Sequence, residues 1–367
     1  MILNDLPNIG PITLNRLLEE FGGDPRIILE ADRRRLESVR GVGPDTSSAV
    51  VNWRSHFDLA REEERLAQAG ATFITTRDEG YPRLLKEIHD PPIGLYRKGD
   101  YLFGQPCIAV VGSRRTTLYG QSVAGKLGPQ LAQLGFCVVS GLARGIDTAA
   151  HEGALAVGGK TAAVLGCGID IVYPPENLAL YRRITETGAV LSEFPFGRKA
   201  DRQSFPMRNR VVAGICEAIV VVESDVQGGA MITARFAGEQ GRLIFAVPGR
   251  IDQATSHGCH QLIRDGATLL TSVDDILSEL SYLDGLRPQV ITQAGQVSVL
   301  EQLLPQLSDS ERKIVACLQG GALTGVDGLT AATGLSAAEV SSALMMLELK
   351  KLVTKRADGT FEARPAG

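Results

Sequence analysis

Between residues 72 and 282 the chain alternates short apolar runs with amphipathic segments of helix length. Each run is continuous and rich in β-branched residues, which is typical of strands buried on both faces. Strands of this kind, alternating with helices, predict a mostly parallel, doubly wound α/β sheet. The runs are CIAVVG (107–112), FCVVS (136–140), TAAVLG (161–166), AVLSEF (189–194), AIVVVE (218–223) and LIFAVPG (243–249). The preceding stretch, residues 80–100, has its own short strand patterns, and we expect it to extend one edge of the sheet.

The first 66 residues show short helices joined by glycine-containing turns instead. LPNIGPITLNRLLEEFGG (6–23) and LESVRGVGPDTSSAVVNW (36–53) share one layout, an apolar residue followed by a glycine turn and a helix. The turn VRGVGP (39–44) resembles a helix-hairpin-helix element, in which glycines let backbone N–H groups reach a DNA phosphate. The same turns would serve as helix C-caps in a small packing or partner-binding domain. Both interpretations stay open.

After residue 282 the alternation is lost, and residues 283–307 are interpreted as a linker. Residues 308–367 predict three helices and a terminal hairpin, with the spacing LxxATGLSxxEVxxALxxLExKxLV of a winged helix-turn-helix. The helix that would enter a DNA groove, Ser336 to Leu349, carries Glu339 and Glu348 but no arginine or lysine. Because groove-reading helices normally present basic or amide side chains, we expect partner docking or an accessory role here.

Charge and composition narrow the class of protein. The formal net charge is −4, so any nucleic-acid site must be a local basic patch on an acidic body. The six cysteines are scattered without a CxxC pair, and we expect reduced core thiols and neither a metal site nor a cofactor. The N-terminus lacks the layout of a signal peptide, and no apolar run approaches the roughly 20 residues of a membrane span. We therefore expect a cytoplasmic protein without membrane association.

Ligands of doubly wound sheets bind beyond the carboxyl ends of the strands, so the loops after each run are the candidate site. Two of these loops suit a phosphate. The first combines a glycine turn with two arginines, and the second opens a helix from a small-residue turn that a third arginine flanks. These candidates are Gly112, Ser113, Arg114 and Arg115 in the first loop, and Ser140, Gly141 and Arg144 in the second.

A third loop concentrates positive charge around an aromatic residue. Five basic residues between 198 and 210 face the single acid Asp201, and five minus one leaves a local charge of +4. Phe205, stiffened by an adjoining proline, lies among them. Cations for phosphates beside a ring for base stacking are what single-stranded nucleic acid binding requires. Their place at the ligand-binding edge favours this over a merely solvated face. The basic residues are Arg198, Lys199, Arg202, Arg208 and Arg210.

Five ordered motifs carry a family resemblance. They are GSRxxTxYG, SGLARGIDxxAHxGAL, AVLGCGIDxxYPxEN, FPxRNRxxAG and GGAxITAxxAxEQGR, the last followed by VPG. Together they resemble the DNA-processing protein A (DprA/Smf) family over almost the whole chain. The resemblance implies an extended Rossmann-like, doubly wound, mostly parallel sheet at 67–282. It also implies an N-terminal helical (helix-hairpin-helix/SAM-like) domain at 1–66 and a C-terminal winged-helix domain at 308–367.

The resemblance also implies a function without bond chemistry. The family binds single-stranded DNA, protects incoming DNA in natural transformation and loads the RecA recombinase onto it, usually as a homodimer through the Rossmann-like domain. Cys216, His260 and the pair Gln227-Gly228 depart from the family pattern without removing a principal DNA contact. The implied DNA contacts are Gly112, Ser113, Arg114, Ser140, Gly141, Arg202, a stacking Phe205, the RNR motif of Arg208, Asn209 and Arg210, and the pocket-bordering Gly229 and Thr233.

Two enzyme classes fit these residues less well. A nicotinamide-dependent oxidoreductase would need GxGxxG and an acid about 20 residues further on, and the turn GSRRTT provides neither. A nucleotide or phosphoribosyl hydrolase is the stronger alternative, because cytokinin-activating phosphoribohydrolases have a similar sheet with a GGxGTxxE motif. Here Phe236 takes the position of the catalytic glutamate, and Glu239 is displaced. Asp147 and His151 could bind a metal on one helix face, but we expect them to cap the preceding turn, and no catalytic residue is assigned.

Overall fold

The computed structural model describes residues 1–283, 307–318, 324–350, 352–355 and 360–363. The chain divides into two compact units, residues 1–291 and 292–367, and each is described by itself. Apart from its two end residues, the predicted linker 283–307 lies outside the described residues. Among the described helices, none has both the length and the apolar character needed to cross a bilayer.

The chain begins with short helices that form a tandem repeat. Gly10 and Gly43 are the N-caps of the second helix in each copy, and a proline follows each cap. The copies pack reciprocally, because Thr46 Oγ1 donates to the Asn8 carbonyl oxygen (3.2 Å) and Arg16 Nη1 donates to that of Arg40 (3.2 Å). The helices are α1 (Ile2–Asp5), α2 (Pro11–Glu20), α3 (Pro25–Glu30), α4 (Arg33–Glu37), α5 (Pro44–Val51), α6 (Trp53–His56) and α7 (Leu59–Ala69).

Helix α7 packs against the sheet rather than with the repeat. Leu66 is buried in a hydrophobic cluster that includes Tyr96 and Leu165 of the sheet. The buried Glu62 carboxylate accepts hydrogen bonds from the Tyr96 hydroxyl (2.8 Å) and from the Phe196 backbone N–H (3.1 Å). The domain boundary predicted after residue 66 therefore falls inside α7, and the boundary remains a prediction.

A mostly parallel sheet forms the centre of the first unit. Its strands are β1 (Ala71–Thr75), β2 (Gly94–Lys98), β3 (Cys107–Val111), β4 (Cys137–Ser140), β5 (Thr161–Leu165), β6 (Ala189–Ser192), β7 (Ala218–Val221), β8 (Leu243–Ala246) and β9 (Thr268–Leu269). They lie in the order β1-β2-β6-β5-β4-β3-β7-β8-β9. In this order, every neighbouring pair between β6 and β9 is parallel. The β1–β2 and β2–β6 pairs, at one edge of the sheet, are antiparallel. The predicted strands and the predicted edge extension are confirmed.

Helices cover both faces of this sheet, as the double winding requires. Alternate residues of β3 belong to different clusters, with Ala109 and Val111 on one face and Ile108 and Val110 on the other. Helices α11, α12 and α13 pack on the first face, and α8, α9 and α14 on the second. Their bounds, with that of α10, are α8 (Leu118–Gln133), α9 (Ile146–Ala156), α10 (Leu178–Thr187), α11 (Ser204–Ile215), α12 (Gly229–Glu239), α13 (Ala254–Arg264) and α14 (Val273–Glu279). Two 3-10 turns, Leu84–Glu87 and Pro175–Asn177, complete the unit.

The second unit has the predicted winged-helix elements. They are α15 (Asp309–Leu318), α16 (Val326–Thr333), α17 (Ala337–Leu349), β10 (Val353–Lys355) and β11 (Phe361–Ala363), the two strands being antiparallel. Ser336 and Glu339 form a capping box, so this glutamate stabilises the start of α17. The exposed surface of α17 carries Met345 and Leu349, which are 65% and 69% exposed. This helix presents apolar and acidic side chains where a groove reader would present basic ones.

The packing of α8 on α9 generates a stability prediction with an internal control. A Cβ at Gly128 of α8 would lie 2.5 Å from the Ala150 carbonyl oxygen of α9, whereas a Cβ at Gly125 would meet nothing within 4 Å. Gly128→Ala should lower the free energy of unfolding by about 1–3 kcal/mol, because the helices must separate. Gly125→Ala should raise it by up to about 1 kcal/mol through helix propensity. Urea denaturation of both variants is the test, and equal effects would contradict the close helix approach.

Candidate nucleic-acid interface

The sheet has a topological switch point at β3. From β3 the strand order runs one way through β4, β5 and β6, and the other way through β7, β8 and β9. The crevice beyond the carboxyl ends of such strands is where doubly wound sheets bind ligands. A cleft of about 430 Å³ opens at this point. Its walls come from the loops after β3 and β4, the first turns of α11 and the start of α12.

Most of the site residues predicted from sequence meet in this cleft. Its lining includes Gly112, Ser113, Arg114, Arg115, Gly141, Phe205, Arg208, Asn209, Gly229 and Thr233. These residues come from four separate stretches of the chain, and the fold brings them to one place because each stretch follows or faces a strand end. The other candidates, Ser140, Arg144, Arg202 and Arg210, lie outside this lining and are described below.

Local packing fixes the arginine turn after β3. A Cβ at Gly112 would lie 2.6 Å from Ile146 Cγ1 and 2.9 Å from the Glu223 carbonyl oxygen, so only glycine fits. The buried Glu223 carboxylate accepts from Thr116 Oγ1 (2.6 Å) and from the Thr117 backbone N–H (2.9 Å). These contacts tie the turn to the end of β7. Sequence reasoning did not single out Glu223, although an acid directly after the apolar run AIVVV is the signal that marks it.

The two arginines of this turn are exposed, and one of them contacts the predicted stacking ring. The Arg114 guanidinium lies over the Phe205 ring, with Cζ 4.7 Å from the ring centroid. Within the described residues Arg114 forms no ion pair, so its charge is available at the rim. The Phe205 ring also lies against the backbone at Gly166, where a Cβ would be 3.1 Å from its Cδ1 atom. A cation and an aromatic ring therefore stand side by side at the mouth of the cleft.

Arg208 is buried beneath the cleft and braces its walls. Its Nη1 donates to the carbonyl oxygens of Gly141 (2.6 Å) and Val164 (2.5 Å), and its Nε donates to Asn209 Oδ1 (3.1 Å). Burial lowers the pKa of Arg208, while the Asp147 carboxylate opposes that shift. A Cβ at Gly141 would lie 2.0 Å from Nη1, so the guanidinium needs glycine at this position.

Asp147 and His151 have structural roles. The Asp147 carboxylate accepts from the backbone N–H groups of Gly141 (3.0 Å) and Ala143 (3.2 Å), which is the capping expected from sequence. Burial raises the pKa of Asp147, and Arg208 acts in the opposite direction. His151 does not cap that turn as expected: it is fully buried with Nδ1 2.6 Å from Thr161 Oγ1, and desolvation, with Arg208 adding to it, lowers its pKa to about 3. Across the described residues, no group of three histidine, cysteine or acidic side chains could hold a metal.

Three of the remaining candidates lie outside the cleft lining, in or next to the elements that form its walls. Ser140 is fully buried, and its hydroxyl donates to the Val110 carbonyl oxygen (2.7 Å), so it supports β4 from inside. Arg144 is exposed beside the cleft and forms an ion pair with Glu176. Arg202 is exposed in the loop that leads into α11.

The basic segment 198–210 is not one solvated patch. Arg198 is exposed but pairs with Asp201 (2.9 Å), while Arg208 and Arg210 are buried on α11. Arg210 Nη2 lies 2.5 Å from the Glu193 carboxylate, and its Nε is 3.3 Å from Asp90 Oδ2. The structure thus places Arg210 in an internal ion pair away from the cleft. The local charge of +4 counted from the sequence includes buried and exposed arginines alike, so it overestimates the positive charge that reaches solvent.

The carboxylates near the cleft bear on the hydrolase alternative. Among the described residues, two carboxylates line the cleft. Asp147 accepts hydrogen bonds from backbone N–H groups, and Asp225 is exposed. Glu239 lies at the last residue of α12 and pairs with Arg235 (3.5 Å). It is therefore far along the helix from the glycines that border the cleft.

Comparisons with known proteins agree with the fold and show the family. The family described as DNA recombination-mediator protein A matches residues 72–281, and the DprA winged helix domain matches 299–359. Protein Smf of Synechocystis sp. is 34% identical over 391 residues, covering 98% of this chain and 97% of the relative. DNA processing protein DprA of Streptococcus pneumoniae is 44% identical over 206 residues, which is 56% of this chain and 73% of the relative.

Two solved structures are similar as well. DNA processing protein A of Streptococcus pneumoniae has a TM-score of 0.66 and 35% identity, covering 76% of this chain and 95% of that protein. DNA processing protein A of Helicobacter pylori, reported for its single-stranded DNA binding mode, has a TM-score of 0.52 and 30% identity. That similarity covers 57% of this chain and 96% of the other.

The internal position of Arg210 generates a prediction that separates structure from binding. Arg210→Ala leaves the Glu193 carboxylate buried without its partner, and we expect a loss of about 3–5 kcal/mol in unfolding free energy. Urea denaturation measures this. Arg210→Met combined with Glu193→Gln should recover part of the loss because both charges are removed. The exposed Arg202→Ala should stay within about 0.5 kcal/mol of the parent. An Arg210→Ala variant as stable as the parent would show that the ion pair is not structural.

Proposed function

Because this chain belongs to the DNA recombination-mediator protein A (DprA/Smf) family, we propose that it binds single-stranded DNA in the cleft at the switch point. The observation that carries the proposal is the exposed Arg114 guanidinium stacked on Phe205 at the cleft mouth. A side chain that can bind a phosphate and a ring that can stack on a base therefore lie next to each other. Their spacing suits one nucleotide of a flexible strand.

Backbone groups support phosphate binding at the opposite wall. Helix α12 begins at Gly229, and no side chain caps its N-terminus. The first N–H groups of a helix lack internal partners and favour an anion. A Cβ at Gly229 would meet nothing within 4 Å, so the backbone is open to close approach by a ligand. Together with Arg114 and Arg115, this end of α12 would hold the sugar-phosphate chain without reading sequence.

The contact between Arg114 and Phe205 suggests how a strand is accepted. In the free protein the guanidinium covers part of the ring. An incoming strand offers Arg114 a phosphate and offers Phe205 a base, so one cation–π contact is exchanged for a charge-assisted hydrogen bond and a stacking contact. Bases in a duplex have both faces covered and cannot make the second of these contacts. The proposal therefore includes a preference for single strands.

We extend the proposal to the later steps of DNA handling. The protein would protect incoming DNA in natural transformation, load RecA onto it, act as a homodimer through its Rossmann-like domain and work in the cytoplasm. Family membership supports these steps. A binding role without bond cleavage is supported by the engagement of Asp147 with backbone groups and by the position of Glu239 at the far end of α12.

The direct test compares fluorescently labelled single-stranded and duplex oligonucleotides of equal length by anisotropy. We expect single strands to bind at least about fivefold more tightly, because one stacking contact is worth about 1–3 kcal/mol. Phe205→Ala should remove most of this preference. Equal affinities for the two forms, or a Phe205→Ala variant that keeps the parent's preference, would refute the stacking role.

Salt dependence tests the phosphate contacts separately. Arg114→Ala and Arg202→Ala should each weaken binding to all sequences alike, and each should reduce the slope of log affinity against log salt by about 0.7. Arg115→Ala should do less, because adjacent side chains that leave a turn point apart and it is Arg114 that contacts the Phe205 ring. Arg264→Ala is the matched control. Arg264 is exposed and lies in the last turn of α13, just before β9, so it is at the amino ends of the strands, opposite the cleft. An Arg114→Ala, Arg202→Ala double variant with the parent's slope would place the DNA elsewhere.

A further inference from the structure

A second aromatic ring stands beside Phe205. Tyr173 lies in the loop between β5 and the 3-10 turn Pro175–Asn177, and it is 41% exposed. Its ring centroid is 5.8 Å from that of Phe205, with the two planes tilted by 46°. No role in the site follows from the features already described, so the exposed ring is unexplained.

The ring spacing decides what the pair can hold. A base inserted between two rings needs about 7 Å between their planes, which is two contact distances of about 3.5 Å. A centroid separation of 5.8 Å excludes this sandwich. The rings instead form one bent surface, on which two neighbouring bases can stack in succession. Phe205 is already contacted by the Arg114 guanidinium and by the backbone at Gly166, so Tyr173 contributes the more open part of this surface.

Cations surround the same surface. A small recess beside the main cleft is lined by both rings together with Arg114, Arg144 and Arg208. Arg144 forms an ion pair with Glu176, in which the two side chains are 53% and 50% exposed. An exposed ion pair of this kind contributes little to stability, so a phosphate can replace the glutamate at small cost. Arg144 is thus positioned to bind a second phosphate.

A buried amide connects the loops that carry the ring and the cation. Asn177 is buried, and its Nδ2 donates to the Leu142 carbonyl oxygen (2.9 Å) and to Thr148 Oγ1 (2.9 Å). These bonds connect the loop that carries Tyr173 to the loop that carries Arg144. The backbone positions of the two loops are therefore set before any ligand arrives.

We propose that Tyr173 and Arg144 form a second nucleotide subsite next to Phe205, so that the protein holds two consecutive nucleotides of a single strand. Tyr173 stacks on the second base, and Arg144 exchanges Glu176 for the adjoining phosphate. This inference rests on the proposed function and extends it from one nucleotide to two.

Variants of the ring test the stacking half. Tyr173→Ala should weaken binding to a labelled oligothymidine by about tenfold, and Tyr173→Phe should remain within about twofold of the parent, because stacking needs the ring alone. Tyr282→Ala is the control. Tyr282 is exposed and lies near Glu217, which directly precedes β7, so it is at the amino ends of the strands and away from the cleft. Unchanged thermal midpoints would exclude a folding effect.

Variants of the ion pair test the phosphate half. Glu176→Gln frees Arg144, and we expect tighter binding by about threefold together with a steeper salt dependence. Arg144→Ala should abolish that gain in the double variant. Glu186→Gln is the matched control, since this exposed residue lies in the last turn of α10, away from the recess.

The outcomes separate the two proposals. Failure of the parent protein to bind the oligonucleotide at all would end both. Binding that Phe205→Ala weakens and Tyr173→Ala leaves unchanged would overturn the second subsite alone. Loss of affinity in Tyr173→Phe equal to that in Tyr173→Ala would also overturn it, because the hydroxyl and not the ring would then be responsible.

Discussion

The site depends on one buried cation. The Arg208 guanidinium joins the loop after β4, the strand β5 and its own helix α11 through hydrogen bonds to Gly141, Val164 and Asn209. A buried charge is stable only when it is fully paired, so these partners must remain where they are. Asp147 completes the arrangement, because its carboxylate faces Arg208 and also holds the Gly141 and Ala143 N–H groups.

Buried and exposed cations have separate roles on this edge of the sheet. Arg208 and Arg210 are buried, and their hydrogen bonds and ion pairs fix the positions of the surrounding elements. The exposed arginines, which a polyanion can reach, are Arg114, Arg115 and Arg202. In a chain of net charge −4, the basic character of the site therefore rests on these few exposed arginines. Under the proposed function only the exposed arginines contribute counterion release, so we expect them to set the salt dependence of DNA binding, while the buried pair contributes to stability.

The sequence was sufficient for features that depend on short-range patterns. Continuous apolar runs predicted strands β3 to β8. The rule that ligands bind beyond the carboxyl ends of the strands predicted that Arg114 and Phe205 lie at one site. It was insufficient where the outcome depends on a distant partner. Arg210 could not be recognised as internal, because its acceptors Glu193 and Asp90 lie on other elements. Glu223 and Tyr173 were missed because an acid after a strand and a tyrosine before a proline have no single meaning without the fold.

The central claim is that single-stranded DNA runs through the cleft at the switch point. Amide hydrogen exchange with and without saturating oligothymidine tests it most directly, because it reports on every loop at once. We expect slowed exchange at residues 112–117, 141–145 and 228–230, with little change in α4, α5 or α17. Protection confined to the glycine turns of the N-terminal helices or to the winged-helix unit would contradict it.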